Sequence, residues 1–216
     1  VALHRLPVVF CLDRAGVTGP DGASHHGVYD MALLSKVPGM RVLAPSSAQE
    51  LGQMLHDATT LVDAGPIAIR YPRGAARQVG ELEVGSGLAA RKVLDGSGTC
   101  IIAVGKMVET AEKAAAILAD DGIEVTVWDP RCCAPLDAEM IADAAAHDRV
   151  ITIEDGVRDG GIGMAIADAV CSIDQSTHVE VLGLPTKFIP HDPKSDAILA
   201  RFGLDADHLV ALARAT

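Results

Sequence analysis

The sequence predicts an α/β fold, on three observations. From residue 99 to 184, short apolar runs alternate with amphipathic stretches of helical period, the pattern of a parallel sheet with crossover helices. Near the start, the apolar run 6–12 opens directly into a long polar loop, Asp13 to Gly27. Ligand sites of open α/β sheets lie at such carboxyl ends of strands. Between these regions the periodicity breaks, and Gly80, Gly85, Gly87, Gly96 and Gly98 punctuate a stretch that reads as a linker.

The chain has 216 residues, 49% of them apolar, and a formal net charge of -11. That length holds one large or two modest domains with ample core. The acidity argues against a nucleic-acid surface, which needs clustered Lys and Arg. No apolar stretch approaches a membrane span. An anionic substrate must therefore be met by local arginines. Cys11, Cys100, Cys132, Cys133 and Cys171 form no paired-ligand spacing, and they read as buried free thiols of a cytoplasmic protein. The opening Val1-Ala2-Leu3-His4-Arg5 lacks an initiator Met and resembles the end of a helix, so the chain reads as a piece of a longer protein.

The elements follow in order. Residues 6–12 predict a short, buried, central strand. Glycines and Pro20 forbid helix across residues 13–27, and a structureless loop of that length is usually functional or disordered. Asp21 and His25 stand four apart, so a turn across Gly22 brings an acid and an imidazole to one space; alternatively they cap the next helix and stay in solvent. Apolar residues at helical spacing predict a helix over 28–37, ended by Pro38-Gly39, and a strand follows at 40–44. Ser47 with Glu50 three residues on predicts a capping box for a helix over 48–62. A strand opening at Gly65-Pro66 runs into the basic turn Arg70-Tyr71-Pro72-Arg73-Gly74, where a guanidinium can meet a phosphate or pair with a surface acid.

After a β excursion around 88–94, strands are expected at 99–104, 123–128, 149–154 and 179–184, with helices at 108–121, 137–146 and 161–171. Gly156, Gly160, Gly161 and Gly163 do not give the dinucleotide fingerprint; a tight turn before a closely packed helix explains them better. Glu154 and Asp155 line a cleft or interface, or cap the next helix, and capping is favoured. His191, alone in a Pro-bounded loop, reads as a surface residue rather than a metal ligand. The tail is a helical pair split at Gly203, restarting at Asp205.

Several of these strings resemble the 1-deoxy-D-xylulose-5-phosphate synthase family: Asp13-Arg14-Ala15-Gly16, Asp21-Gly22 with Ser24-His25, and Arg70-Tyr71-Pro72-Arg73-Gly74. The likeness continues through Asp129-Pro130-Arg131, Pro135-Leu136-Asp137, Glu154-Asp155-Gly156, Gly183-Leu184-Pro185 and Phe188-Ile189-Pro190, and so covers essentially the whole chain. It implies the latter half of a transketolase-like pyrimidine-binding domain over residues 1–80, a linker over 81–98, and a transketolase carboxyl-terminal α/β domain with a parallel sheet over 99–216. The family is implied to condense pyruvate with D-glyceraldehyde 3-phosphate, releasing CO2, on thiamin diphosphate with Mg2+, as a cytoplasmic homodimer. Its product feeds isoprenoid precursor, thiamin and pyridoxal biosynthesis. By motif position the resemblance makes Arg14 and Arg73 ligands of the aldehyde's phosphate, and Asp21 and His25 the catalytic groups. It places the main ligands of the cofactor and metal upstream of Val1, so no cofactor- or metal-binding residue is expected here and the piece alone is expected to be inactive. His26 stands where glutamine is expected in many members. Two alternatives are a non-catalytic dimerisation or assembly module, and a piece of another transketolase-like thiamin enzyme, which would not be expected to show both the first and the third string.

Overall fold

The structure is a computed structural model that describes residues 1–215. Three strands of the first half, β1 (Val9–Leu12), β2 (Arg41–Leu43) and β3 (Ile67–Arg70), are parallel, with β3 in the centre and Leu12 opposite Arg70. All residues of β2 and β3 are buried, as expected for a continuous apolar run in a parallel sheet. The run at 6–12 is different. It yields only a four-residue edge strand with Val9 and Cys11 exposed, because β1 has a partner on one side alone. The expectation of a buried central strand with a buried Cys11 thiol is corrected on that ground.

Helix α1 (Asp30–Leu34) is shorter than the 28–37 pattern suggests; turns carry the chain from Ser35 to Pro38. Helix α2 (Ala48–Leu61) starts as expected, with Ser47 Oγ accepting from Glu50 N at 3.0 Å. Met54 and Ala58 then pack on Ile67, Ile69 and Leu43. Only half of the capping box forms, since the Glu50 carboxylate turns inward.

The second sheet has the order β4-β6-β5-β8-β9. Strands β5 (Cys100–Ala103), β6 (Thr126–Asp129), β8 (Arg149–Val157) and β9 (His178–Leu184) are parallel, while β4 (Arg91–Leu94), from the stretch read as linker, pairs antiparallel with β6. Helices α3 (Met107–Asp120), α4 (Ala138–Ala145) and α5 (Ile162–Ile173) occupy the predicted stretches. The tail forms α6 (Ser195–Arg201) and α7 (Ala206–Arg214), separated by Gly203 at φ +69°. Gly161 and Gly163 sit where a Cβ would meet Val157 O at 2.3 Å and Thr152 Oγ1 at 2.5 Å, so close helix–strand packing does account for that glycine cluster.

One strand joins the halves. β7 (Cys132–Ala134), unexpected from the sequence, leaves the second sheet's side of the chain and closes the first sheet antiparallel to β2. The apolar cores are likewise shared. Met31, Val42 and Ala68 pack with Ile102, Trp128 and Ile162, and the loop residues Val17 and Val28 sit in the cluster beneath α3 and α7. Burying each such valine is worth roughly 1.5–3 kcal/mol, which pins both arms of the polar loop to the second half. Among the described residues, no helix is long and apolar enough to cross a membrane.

Candidate active site

The polar loop that leaves β1 is closed at its neck. Gly16 and Gly27 exchange backbone hydrogen bonds of 2.8 and 2.9 Å, and Ala15 N donates to Tyr71 O at 3.0 Å, which ties the loop to the turn after β3. Glycine is needed at both neck positions. Gly16 has φ +71°, and a Cβ on Gly27 would stand 2.4 Å from Arg14 O. Within the neck a single 3-10 turn, Gly19–Asp21, is followed by a turn in which His25 N donates to Gly22 O at 3.0 Å.

The four predicted site residues lie on or beside this loop. Arg14 has φ +58°, is half exposed, and donates to Asp13 Oδ2 at 2.5 Å. Arg73 is also half exposed and donates through Nη1 to Asp21 Oδ2 at 2.6 Å. The two arginines therefore extend from the paired carboxyl ends of β1 and β3. Asp21 and Arg73 are in direct contact. His25 is exposed, with Nδ1 at 3.0 Å from Ser24 Oγ, so its bond is within its own turn rather than to Asp21.

His26 is built differently from its neighbour. Its Nδ1 accepts from Thr18 N at 3.0 Å, which puts the proton of the neutral ring on Nε2. Burial lowers its pKa, against the opposing pull of the Pro190 and Ile189 backbone. His26 is thus a neutral brace inside the loop.

Behind the exposed pair stands a buried one. Arg70 Nη1 donates to Asp155 Oδ1 at 2.6 Å and Nε to Asp30 Oδ2 at 3.0 Å; Arg70 and Asp155 are 2% and 0% exposed. Burial opposes the Arg70 charge, but Asp155 and Asp30 outweigh it and hold the guanidinium more firmly protonated than usual. Glu154 behaves as the capping expectation had it, accepting from Gly163 N at 2.9 Å at the start of α5, and burial pushes its pKa up to about 7. Asp155 does not cap; it pairs across the two halves.

A second buried pair was not foreseen. Arg131 Nε donates to Glu50 Oε2 at 2.8 Å, while its Nη1 donates to the carbonyls of Ser86 and Ala89 at 3.0 and 2.8 Å. Glu50 Oε1 accepts from Gly85 N at 2.7 Å, so one ion pair clamps α2, the segment 85–89 and the turn before β7. Beside Arg73 opens a cleft of about 890 Å³, lined among others by Tyr71, Arg77, Lys106, Lys113 and Lys194. Arg77 pairs there with Glu112 at 2.7 Å. These cations were missed because they are scattered along the sequence. Among the described residues, no group of three or more His, Cys, Asp or Glu side chains is placed to hold a metal ion.

The family model of the transketolase pyrimidine-binding domain matches residues 1–78, and that of the transketolase C-terminal domain matches residues 88–209. The chain belongs to the transketolase family. Among curated proteins it is 42% identical over 220 residues to 1-deoxy-D-xylulose-5-phosphate synthase of Thermobifida fusca, covering 97% of this chain and 33% of that protein. The synthase of an Anaeromyxobacter species is 43% identical over 224 residues, covering 100% and 35%. The chain thus spans about one third of the length of the curated relatives it matches. A split gene transketolase, described as an inactive beta4 tetramer, superposes with TM-score 0.87 at 28% identity over 99% of this chain and 68% of its own. A transketolase mutant from Pichia stipitis has TM-score 0.76 at 16% identity, covering 99% of this chain and 30% of its own, and shows the fold alone.

Proposed function

We propose that this chain is the acceptor-binding part of a 1-deoxy-D-xylulose-5-phosphate synthase, which condenses pyruvate with D-glyceraldehyde 3-phosphate and releases CO2. The observation that carries the reading is the pair Arg14 and Arg73, half exposed on adjoining strand ends of an acidic chain, with Asp21 and His25 in the same loop. The names of the relatives, at about 42% identity over nearly the whole chain, support the synthase over another thiamin enzyme.

Each arginine is now satisfied by one carboxylate, Asp13 or Asp21. Exposed ion pairs of this kind contribute about 0–1 kcal/mol. A phosphate dianion offering bidentate, charge-assisted bonds to both guanidinium groups replaces them readily. Moving Arg73 onto phosphate frees the Asp21 carboxylate toward the reacting carbons. His25, exposed at the tip of the turn, supplies an imidazole that donates a proton to the aldehyde oxygen as it becomes an alkoxide. Fixing the remote phosphate orients the aldehyde carbon, the kind of positioning that lowers a bimolecular barrier. Thiamin diphosphate with Mg2+ would supply the electron sink for pyruvate decarboxylation; among the described residues no cluster of three or more His, Cys, Asp or Glu side chains is placed to hold the metal.

In the intact protein, Arg73→Ala is expected to raise KM for the phosphorylated aldehyde far more than KM for pyruvate, measured by steady-state kinetics with each substrate varied. Equal effects on both overturn the phosphate role. The 216-residue chain alone is expected to turn over neither substrate. The reading includes a cytoplasmic homodimer. A non-catalytic assembly role is the second reading, favoured by the likeness to a solved chain described as an inactive tetramer. Sedimentation decides that point, since a strict monomer at micromolar concentration counts against it.

A further inference from the structure

The acceptor loop is held from behind by one carboxylate of the second half. Asp155, in β8, lies against Gly16: a Cβ at position 16 would stand 1.9 Å from Asp155 Oδ2 and 2.6 Å from its carboxyl carbon. The other oxygen, Oδ1, accepts from Arg70 Nη1 at 2.6 Å. Gly16 is two residues after Arg14, and Arg70 is three before Arg73. A single buried side chain therefore touches both segments that carry the exposed arginines.

The surroundings leave that carboxylate little freedom. Asp155 is fully buried, Arg70 is anchored a second time by Asp30, and the two segments are tied to each other by the Ala15 N to Tyr71 O bond. Val157 N, two residues on, donates to Val28 O at 2.8 Å and fixes the far arm of the loop to the same strand. A buried ion pair is a weak source of stability compared with apolar packing, but its geometry is strict. Oδ2 has no hydrogen-bond partner among the described residues, so Asp155 is held by Arg70 alone while its free edge limits how close the loop can come.

We propose that Asp155 is a positioning residue of the acceptor site: it sets the distance between Arg14 and Arg73 and thereby the fit of the substrate's phosphate. The proposal rests on the acceptor reading above. It assigns a catalytic-site function to the carboxyl-terminal domain, whose β8 would otherwise be only scaffold.

The test uses the intact holoenzyme with Asp155→Asn, Arg73→Ala and the double variant, assayed with D-glyceraldehyde 3-phosphate and with unphosphorylated D-glyceraldehyde. Asp155→Asn is expected to raise KM for the phosphorylated aldehyde about tenfold, the scale of a modest misplacement of a binding group. KM for pyruvate and kcat/KM for D-glyceraldehyde should stay within about twofold of wild type on the same reasoning. The double variant should be no worse than Arg73→Ala toward the phosphorylated aldehyde, because both act through one contact. Equal losses with both aldehydes, or additive effects in the double variant, overturn the proposal and leave Asp155 merely structural. If Asp155→Asn does not fold, Asp155→Glu takes its place: it keeps a carboxylate for Arg70, is one methylene longer against Gly16, and must show the same phosphate-selective rise, a uniform loss again overturning the idea. Failure of Arg73→Ala to discriminate the two aldehydes refutes the acceptor reading itself; discrimination by Arg73→Ala without any by Asp155→Asn refutes only this inference.

Discussion

Arg70 and Arg73 share one turn and one charge, three residues apart, and they do opposite things. Arg70 ends a central strand, is buried, and is locked between Asp155 and Asp30. Arg73 lies past Pro72, is half exposed, and holds a single carboxylate. Water makes the difference. The buried guanidinium cannot lose a partner without leaving a charge stranded in low dielectric, whereas the exposed one exchanges partners at little cost. The first is therefore suited to holding the two halves in register and the second to meeting a substrate anion.

The largest expected effect breaks the buried member. Arg70→Ala should destabilise the folded chain by about 3–5 kcal/mol, since Asp155 and Asp30 lose their partner. Arg73→Ala should change stability by about 1 kcal/mol or less. Denaturant unfolding of the two variants under the same conditions checks the contrast, and comparable losses abolish it.

A smaller effect sharpens the same comparison through pH. Glu154 neighbours the Arg70 and Asp155 charges, and burial raises its pKa to about 7 from the ordinary 4.5. Below about pH 4.5 this group is protonated in both the folded and unfolded chain. Between about 4.5 and 7 only the unfolded chain releases the proton, so stability falls as pH rises, and above about 7 the loss is constant. The size is up to about 3 kcal/mol, from 1.36 kcal/mol per pH unit. Asp129, raised to about 6 chiefly by burial, adds in the same direction. Glu154→Gln should flatten the fall in unfolding free energy between pH 5 and 7; an unchanged slope shows that Glu154 is not its source.

How far these features were legible follows from the range of the interactions. The alternating second half and the helix starts near Ser47, Asp137 and Asp205 rest on neighbours in sequence; the cap expected at Ser47 forms, and the structure adds caps by Asp137 and Asp205. The loop stood out by its density of polar groups and glycines. The partition of roles between Arg70 and Arg73 did not, because it depends on Asp155, 85 residues away. Cys132 to Ala134 is too short to show a strand's two-residue period, so β7 and its closure of the first sheet were invisible. Residues 6–12 are apolar enough for a central strand, and only the sheet order reveals β1 as an edge.

Glu50 divides the local from the distant within one residue. Its backbone N–H is the donor to the Ser47 cap, while its carboxylate binds Arg131 and Gly85 across the linker. Ser47→Ala removes one capping bond and should cost about 1 kcal/mol. Glu50→Ala strands the buried Arg131 and belongs with Arg70→Ala, near 3–5 kcal/mol. Thermal unfolding of the two variants sets the cap against the clamp. If Ser47→Ala costs as much as Glu50→Ala, the single Ser47 cap matters as much as the buried ion pair, and the contrast between local and distant contacts fails.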